Sequence, residues 1–266
     1  MKIKVFEAFA GYGSQAMAPQ RLKEDYPDFD YEVVGISEID KFVVQAYEAV
    51  HGHCPNYGDI SKIDWNNVPD FDLFTFSFPC QSISNAGKQE GFTEGSGTTS
   101  SLLWECRKAI QIKRPQFLLM ENVKALTSKK FLPLFNEWLA ELESYGYTNF
   151  WKVLNTKDFG IPQNRERTFC VSILADYAHY EFPQPFPLEL RIKDILEENV
   201  DEKFYLSDKM LQYFLRVNED QSHCHNFNPL GGGESSRCGV RSKHTEVSTE
   251  RASARQLALP TFHSQE

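Results

Sequence analysis

Short apolar segments alternate with helical segments along much of this 266-residue chain. The strand-like segments are residues 2–6, 31–38, 71–78, 117–120, 151–154 and 168–174. Helices are expected from Asp40 to about residue 50, at residues 102–113 and at residues 207–217, with Asp40 and Ser207 at helix starts. Such alternation predicts an α/β fold with a doubly wound, mainly parallel sheet, since parallel neighbours need a crossover connection between them. Ligands of such folds bind beyond the carboxyl ends of the strands, so we expect the functional residues there.

The composition limits the classes of protein to which the chain can belong. With 41% hydrophobic residues it can bury a substantial core, and no apolar run approaches the length of a membrane span. Six scattered cysteines and no secretion signal favour reduced thiols and a cytoplasmic location. The net charge of −9 counts modestly against a nucleic-acid partner, but basic residues concentrate between Arg107 and Lys130.

A glycine-rich turn follows the first strand. Residues 11–16 fit the pattern G-x-G-x-x-G/A between a strand and a helix, although an ordinary strand–helix turn has the same form. Glu38 and Asp59 end the next two segments and are placed to bind the ribose and the adenine amino group of an adenosine-containing ligand. Glu7 would repel a pyrophosphate and suits a cationic ligand group.

Cys80 follows the apolar strand-like segment 71–78, which Pro79 ends, and a Gly/Ser/Thr-rich segment at residues 84–101 comes next. A thiol at a strand tip beside such a loop is a candidate nucleophile. Most free cysteines are small core residues, so its position alone leaves both interpretations open.

Five segments, in this order, resemble the DNA cytosine-5 methyltransferases. They are residues 9–13 (FAGYG), 37–40 with 58–60 (SEID and GDI), 78–84 (FPCQSIS), 121–123 (ENV) and 163–167 (QNRER). The resemblance implies an S-adenosylmethionine-dependent methyltransferase fold. It also implies transfer of a methyl group to carbon 5 of a flipped-out cytosine in duplex DNA, within a restriction–modification system.

The resemblance also implies roles for individual residues. Cys80 would add to carbon 6 of the cytosine, Glu121 would contact ring nitrogen 3 and the exocyclic amine, and Arg165 and Arg167 would support the base. The residues expected to bind the cofactor are Phe9, Gly11, Gly13, Glu38, Ile39, Asp59, Ile60 and Pro79. Those expected to contact DNA, partly from a loop that closes over the base, are Gln81, Ser84, Lys88 and Gln163.

The domain prediction rests on a change in sequence pattern after the proline-rich residues 183–187. Residues 1–185 are expected to form the catalytic and cofactor-binding domain, and residues 186–230 to begin a target-recognition region. Residues 231–266 are expected to be a poorly ordered or truncated tail, because the family's final Gly-Asn segment is not recognised there.

Several alternatives stay open. The chain could be a catalytically incomplete subunit or remnant that binds cofactor or DNA and needs a C-terminal partner chain. RNA could be the substrate, but RNA-acting relatives tend to carry a second proline where this chain has Phe78. A zinc site around residues 223–225 is disfavoured because the His/Cys spacing fits no common structural site, and no metal is expected.

Overall fold

The computed structural model describes residues 2–84, 86–87, 89–175 and 178–224, with side chains up to residue 216. The chain divides into two compact units, Met1–Glu189 and Leu190–Glu266. Each is treated separately, and the predicted domain boundaries stay predictions. In the described part of the chain, no helix combines the length and apolar character needed to cross a membrane.

The first unit contains one six-stranded sheet in the order β2-β1-β3-β4-β6-β5. The strands are β1 Lys2–Ala8, β2 Asp30–Ser37, β3 Leu73–Phe76, β4 Phe117–Val123, β5 Tyr147–Asn155 and β6 Glu166–Leu174. The first four strands run parallel, whereas β6 is antiparallel to both β4 and β5. The mainly parallel sheet is confirmed, and the antiparallel pair is an addition that the sequence did not predict.

Helices connect the parallel strands. They are α1 Met17–Asp25, α2 Lys41–His51, α3 Cys106–Lys113 and α4 Leu132–Ser144. Asp40 begins α2 as predicted, because its carboxylate accepts hydrogen bonds from the backbone N–H groups of Phe42 and Val43. The predicted helix from Leu102 differs: Thr99–Glu105 forms a 3-10 helix, and α3 begins only at Cys106.

The sheet packs on two faces. One face carries a large aromatic core in which the rings of Phe6, Trp65 and Phe74 lie 5.1 to 6.1 Å apart. The other carries a small cluster that includes Ile36 and Tyr47. Since neighbouring side chains of a strand point to opposite faces, Phe6 of β1 packs in the aromatic core, whereas Glu7 reaches Tyr47 of the small cluster.

In the described part of the second unit, two short 3-10 helices, Ile192–Ile195 and Glu202–Phe204, precede α5, Asp208–Cys224. Ser207 begins α5 as predicted, with its hydroxyl oxygen 3.4 Å from the Met210 nitrogen.

Candidate active site

The glycine-rich turn after β1 has an unusual backbone. Phe9, Gly11 and Gly13 all have positive φ, at 56°, 58° and 83°. A Cβ on Gly11 would meet nothing within 4 Å, so this stretch of backbone is open to a ligand. A Cβ on Gly13 would lie 2.3 Å from His51 Nε2, so the turn packs on α2 only because this residue has no side chain.

Glu38 lies beside this turn and holds it. Its Oε2 accepts a hydrogen bond from the Gly11 N–H at 3.0 Å, and its Oε1 accepts from the Ile39 and Asp40 N–H groups at 2.8 and 3.0 Å. A carboxylate offers about four lone-pair sites, so Oε2 keeps capacity for one further donor. This geometry fits a ribose hydroxyl at Glu38.

Asn56 connects the two acidic residues, and the sequence analysis missed it. Its Nδ2 donates to the Glu38 carbonyl oxygen at 2.9 Å, while its Oδ1 accepts from the Glu38 and Gly58 N–H groups at 3.1 and 3.0 Å. No sequence pattern indicated this role. Asn56 therefore fixes Glu38 relative to the segment that leads into Asp59.

Asp59 begins the 3-10 helix Ile60–Lys62, and its carboxylate is already engaged. Oδ1 accepts hydrogen bonds from the Ser61 hydroxyl and N–H at 2.8 and 3.0 Å, and Oδ2 lies 3.2 Å from Lys62 Nζ. The hydrogen bond from the Ser61 side chain is the largest of several effects that hold the pKa of Asp59 below its usual range. Asp59 thus meets a ligand as a charged acceptor.

The predicted apolar contacts of the cofactor have different surroundings. Ile39 is 78% exposed at the start of α2, whereas Ile60 is 3% exposed within the aromatic core. Pro79 is half-buried, and its carbonyl oxygen accepts a hydrogen bond from the Ser100 hydroxyl at 2.6 Å. Of the two isoleucines, Ile39 therefore presents its side chain to solvent and Ile60 does not.

Glu7 does not present its charge to a ligand. The side chain is 1% exposed, its Oε2 accepts a hydrogen bond from the Tyr47 hydroxyl at 2.7 Å, and its Oε1 has no hydrogen-bond partner among the described residues. Burial raises the pKa of Glu7 from 4.5 to about 7. The expectation that Glu7 faces a cationic ligand group is therefore wrong. Alternation along β1 turns this side chain toward α2, which a motif in the sequence does not reveal.

Cys80 lies beyond the end of β3, and side chains of other elements hold the residues before it. Asn122 Nδ2 donates to the Phe78 carbonyl oxygen at 2.9 Å, and Gln15 Nε2 donates to the Ser77 hydroxyl oxygen. The Ser100 hydroxyl donates to the Pro79 carbonyl oxygen. Ser77, Phe78 and Pro79 are therefore each held by a residue from a different element.

The Cys80 thiol is half-buried, unlike the other described cysteines. Cys54, Cys106 and Cys170 are buried, and burial raises the pKa of each thiol, to about 11 for Cys54 and about 12 for Cys170. A thiol must ionise to react, so these three are poor nucleophiles. Accessibility favours Cys80 as the reactive cysteine.

Glu121 and Arg167 form an ion pair across the antiparallel strands β4 and β6. Arg167 Nε lies 3.0 Å from Glu121 Oε1, and both side chains are about one-fifth exposed. Asn122, on the opposite face of β4, is 2% exposed and reaches the strand that carries Cys80. The sequence placed these residues in separate motifs; the structure brings them together at one end of the sheet.

The turn at residues 160–166 exposes the other two predicted side chains. Gln163 and Arg165 are both exposed, and the Arg165 guanidinium has no ion-pair partner in the described chain. Their backbones are tied to the end of β5, since the Thr156 hydroxyl donates to the Gln163 carbonyl oxygen at 2.6 Å and Arg165 N–H donates to Asn155 Oδ1 at 3.1 Å. Both side chains are free to contact a ligand from outside.

The loop after Cys80 is anchored through its second half. Phe92 is fully buried against Phe78 and Phe131, with ring centroids 5.9 and 6.4 Å apart. Trp104 Nε1 donates to the Phe92 carbonyl oxygen at 2.6 Å, and Arg107 pairs with Glu94 at 2.7 Å. These contacts hold the second half of the loop against the aromatic core.

The two remaining DNA-contact predictions from this loop lie near its start. Gln81 is exposed, and its Oε1 accepts a hydrogen bond from the Thr99 hydroxyl at 3.0 Å. Ser84 is half-buried, and its N–H donates to the Cys80 carbonyl oxygen at 2.8 Å. Lys88 lies outside the described residues, as do the side chains of residues 223–225 that were considered for zinc.

The basic segment 107–130 is largely paired. Lys108 binds Glu105 at 2.7 Å, Lys113 binds Asp70 at 3.0 Å, and Lys124 binds Glu166 at 2.8 Å. Lys130 donates to the Gln89 carbonyl oxygen at 2.7 Å. This concentration of basic residues is therefore no open cationic patch in the described structure.

The chain is similar to known proteins along most of its length. The sequence pattern of the C-5 cytosine-specific DNA methylase family matches residues 3–265. The Type II methyltransferase M2.ScrFI of Lactococcus lactis subsp. cremoris is 44% identical over an alignment of 262 positions, which covers 79% of this chain and 71% of the relative. The Type II methyltransferase M.NlaX of Neisseria lactamica is 38% identical over 213 residues, covering 80% and 66%.

A solved structure shows the same fold. The Entamoeba histolytica methyltransferase EhMeth matches with a TM-score of 0.63 at 18% identity, over 79% of this chain and 65% of that protein. The chain spans about two thirds of the length of these three proteins. The extent of the family match and the identity to M2.ScrFI establish that this chain belongs to the C-5 cytosine-specific DNA methylase family.

Proposed function

We propose that this chain methylates carbon 5 of a flipped-out cytosine in duplex DNA, through a covalent bond between Cys80 and carbon 6, as part of a restriction–modification system. The observation that supports the proposal is the half-buried Cys80 thiol two residues after Phe78, whose carbonyl oxygen accepts a hydrogen bond from Asn122, the neighbour of Glu121 in the Glu121–Arg167 pair. The Type II names of the relatives support the restriction context.

S-adenosylmethionine is the methyl donor of this family and, when bound, supplies an electrophilic methyl group. The residues present fit it: the open backbone at Gly11, the remaining acceptor capacity of Glu38 and the charged Asp59 would hold its nucleoside and amino-acid parts. The exposed Ile39 offers an apolar surface for the adenine.

Cys80 performs the first step. Its thiolate forms a bond to carbon 6 of the cytosine, and the electrons of the ring's 5,6 double bond move toward nitrogen 3. Glu121 contacts nitrogen 3 and the exocyclic amine, and the Arg167 guanidinium beside it supplies positive charge where electron density collects. Arg165 supports the base or a phosphate from the exposed turn.

Carbon 5 is then nucleophilic and would take the methyl group, whose bond to the sulfonium sulfur breaks and leaves S-adenosylhomocysteine. Loss of its proton to a base and cleavage of the bond between sulfur and carbon 6 restore the double bond and the Cys80 thiolate. The base must leave the duplex for this to occur, since the reacting atoms are inaccessible within stacked DNA.

The test is transfer of labelled methyl groups from S-adenosylmethionine to duplex DNA. Cys80→Ser should abolish transfer and also abolish the covalent adduct with DNA that contains 5-fluorocytosine. Cys54→Ser, at a buried thiol away from this site, is the control and should retain both. Retained transfer in Cys80→Ser would refute the mechanism.

A second candidate function is that of an incomplete subunit or remnant that binds cofactor or DNA and needs a C-terminal partner chain. The observation that favours it is that the chain spans about two thirds of the length of its relatives. Adding the C-terminal third of M2.ScrFI as a separate chain distinguishes the two. Adduct formation without the added chain supports the first proposal, whereas adduct formation only with it supports the second.

A further inference from the structure

The contact between Gln15 and Ser77 differs from the others that hold the residues before Cys80. Asn122 and Ser100 bind backbone oxygens, whereas Gln15 binds a side chain. Gln15 also belongs to the glycine-rich turn rather than to the sheet, and its carbonyl oxygen accepts from the Ala18 N–H at 3.2 Å in the first turn before α1. A hydrogen bond between side chains therefore joins the predicted cofactor turn to the strand of the predicted nucleophile.

The opposite side of the same turn is fixed. His51 Nε2 lies 3.1 Å from the Tyr12 carbonyl oxygen, and Gly13 packs so tightly on His51 and Tyr47 that it has no room for a Cβ. The turn is therefore held by α2 through His51 and by Ser77 through Gln15.

We propose that Gln15 is a positioning residue that couples occupancy of the glycine-rich turn to the orientation of the Cys80 thiol through Ser77. The inference rests on the proposed function for the roles of the turn and of Cys80. A ligand that binds the open backbone at Gly11 restrains the turn, and the Gln15–Ser77 hydrogen bond carries that restraint to the residues before the thiol. Such coupling is reciprocal, so an altered strand tip also changes ligand affinity.

The experiment measures the rate at which iodoacetamide alkylates Cys80, followed by mass spectrometry of the Cys80 peptide, with and without saturating S-adenosylhomocysteine. In the wild-type protein we expect the ligand to change this rate by about fivefold or more, the equivalent of one net hydrogen bond. In Gln15→Ala the change should fall below about twofold while calorimetry still shows S-adenosylhomocysteine bound.

Matched variants distinguish loss of the Gln15–Ser77 coupling from a general loss of folded structure. Ser77→Ala should reproduce the loss, and the double variant should add nothing, because both changes remove the same contact. Gln15→Glu keeps an acceptor for the Ser77 hydroxyl and should restore most of the ligand effect. Gln20→Ala, at an exposed glutamine of α1 outside the turn, should behave as wild type. If Gln15→Ala weakens ligand binding, Ser77→Ala gives the same comparison with the turn intact.

An unchanged ligand effect in Gln15→Ala and Ser77→Ala would overturn the proposal, because it would mean that the ligand merely covers the thiol. Absence of any ligand effect in the wild type would overturn it too. The alkylation assay needs no DNA, so its result is independent of methyl transfer. Failure of the wild-type chain to methylate DNA would instead refute the proposed function.

Discussion

Replacing Glu7 by glutamine should make the protein more stable above neutral pH and leave its stability near pH 5 almost unchanged. Glu7 is 1% exposed, and its Oε1 lacks a hydrogen-bond partner in the described structure. Ionising it places a charge in a site where the cost of burial exceeds what the hydrogen bonds from Tyr47 and the Ala16 backbone supply. Glutamine has nearly the same shape and keeps an oxygen for the Tyr47 hydroxyl, but it carries no charge.

The size of the effect follows from the displaced pKa of Glu7. Burial raises it from 4.5 to about 7 in the folded protein. The folded state therefore binds more protons than the unfolded state between these values, so stability falls as pH rises through this window. Each pKa unit corresponds to about 1.4 kcal/mol, so the protein loses about 3 kcal/mol of stability between the two pKa values and stays at the lower stability above them. Glu7→Gln should recover about 2–3 kcal/mol of this near pH 8.

Thermal unfolding of the wild type and Glu7→Gln across pH 5 to 8 measures the effect. A difference of this size raises Tm by about 5–10 °C at the alkaline end for a protein of this length. All other ionisable groups are the same in the two proteins, so the difference between them isolates Glu7. Glu32→Gln, at an exposed carboxylate paired with Lys2, is the control and should change stability by less than about 0.5 kcal/mol.

The reasoning fails if the difference in Tm between wild type and Glu7→Gln does not depend on pH. It also fails if Glu7→Gln is the less stable protein near pH 8. Either result would mean that the Glu7 carboxyl group is ionised in the folded protein without cost.

Two further predictions concern the cofactor turn and the loop after the thiol. Glu38→Ala removes the acceptor that fixes Gly11, so the Kd for S-adenosylhomocysteine measured by calorimetry should rise about tenfold to a hundredfold; a change below about twofold would contradict this role. Phe92→Ala empties a fully buried site against Phe78 and Phe131, so the free energy of unfolding in urea should fall by about 3–5 kcal/mol; a loss below about 1 kcal/mol would show that this residue does not anchor the loop.

Much of the fold could be predicted from the sequence because its signals are local. Strand-like runs that alternate with helical segments were sufficient for the mainly parallel sheet, and Asp40 and Ser207 marked helix starts that are confirmed. The reversed direction of β6 was not predicted, because strand direction depends on pairing between distant segments.

By itself, the sequence determined the family and the chemical types at the site, since the thiol, the acids and the glycines lie in short contiguous motifs. Only the tertiary structure decided which of them meet. It paired Glu121 with Arg167 and introduced Asn56 as the connection between Glu38 and the Asp59 segment. It also buried Glu7, whose charge had suggested a ligand contact. Burial and pairing depend on residues far apart in the chain, and no local pattern contains that information.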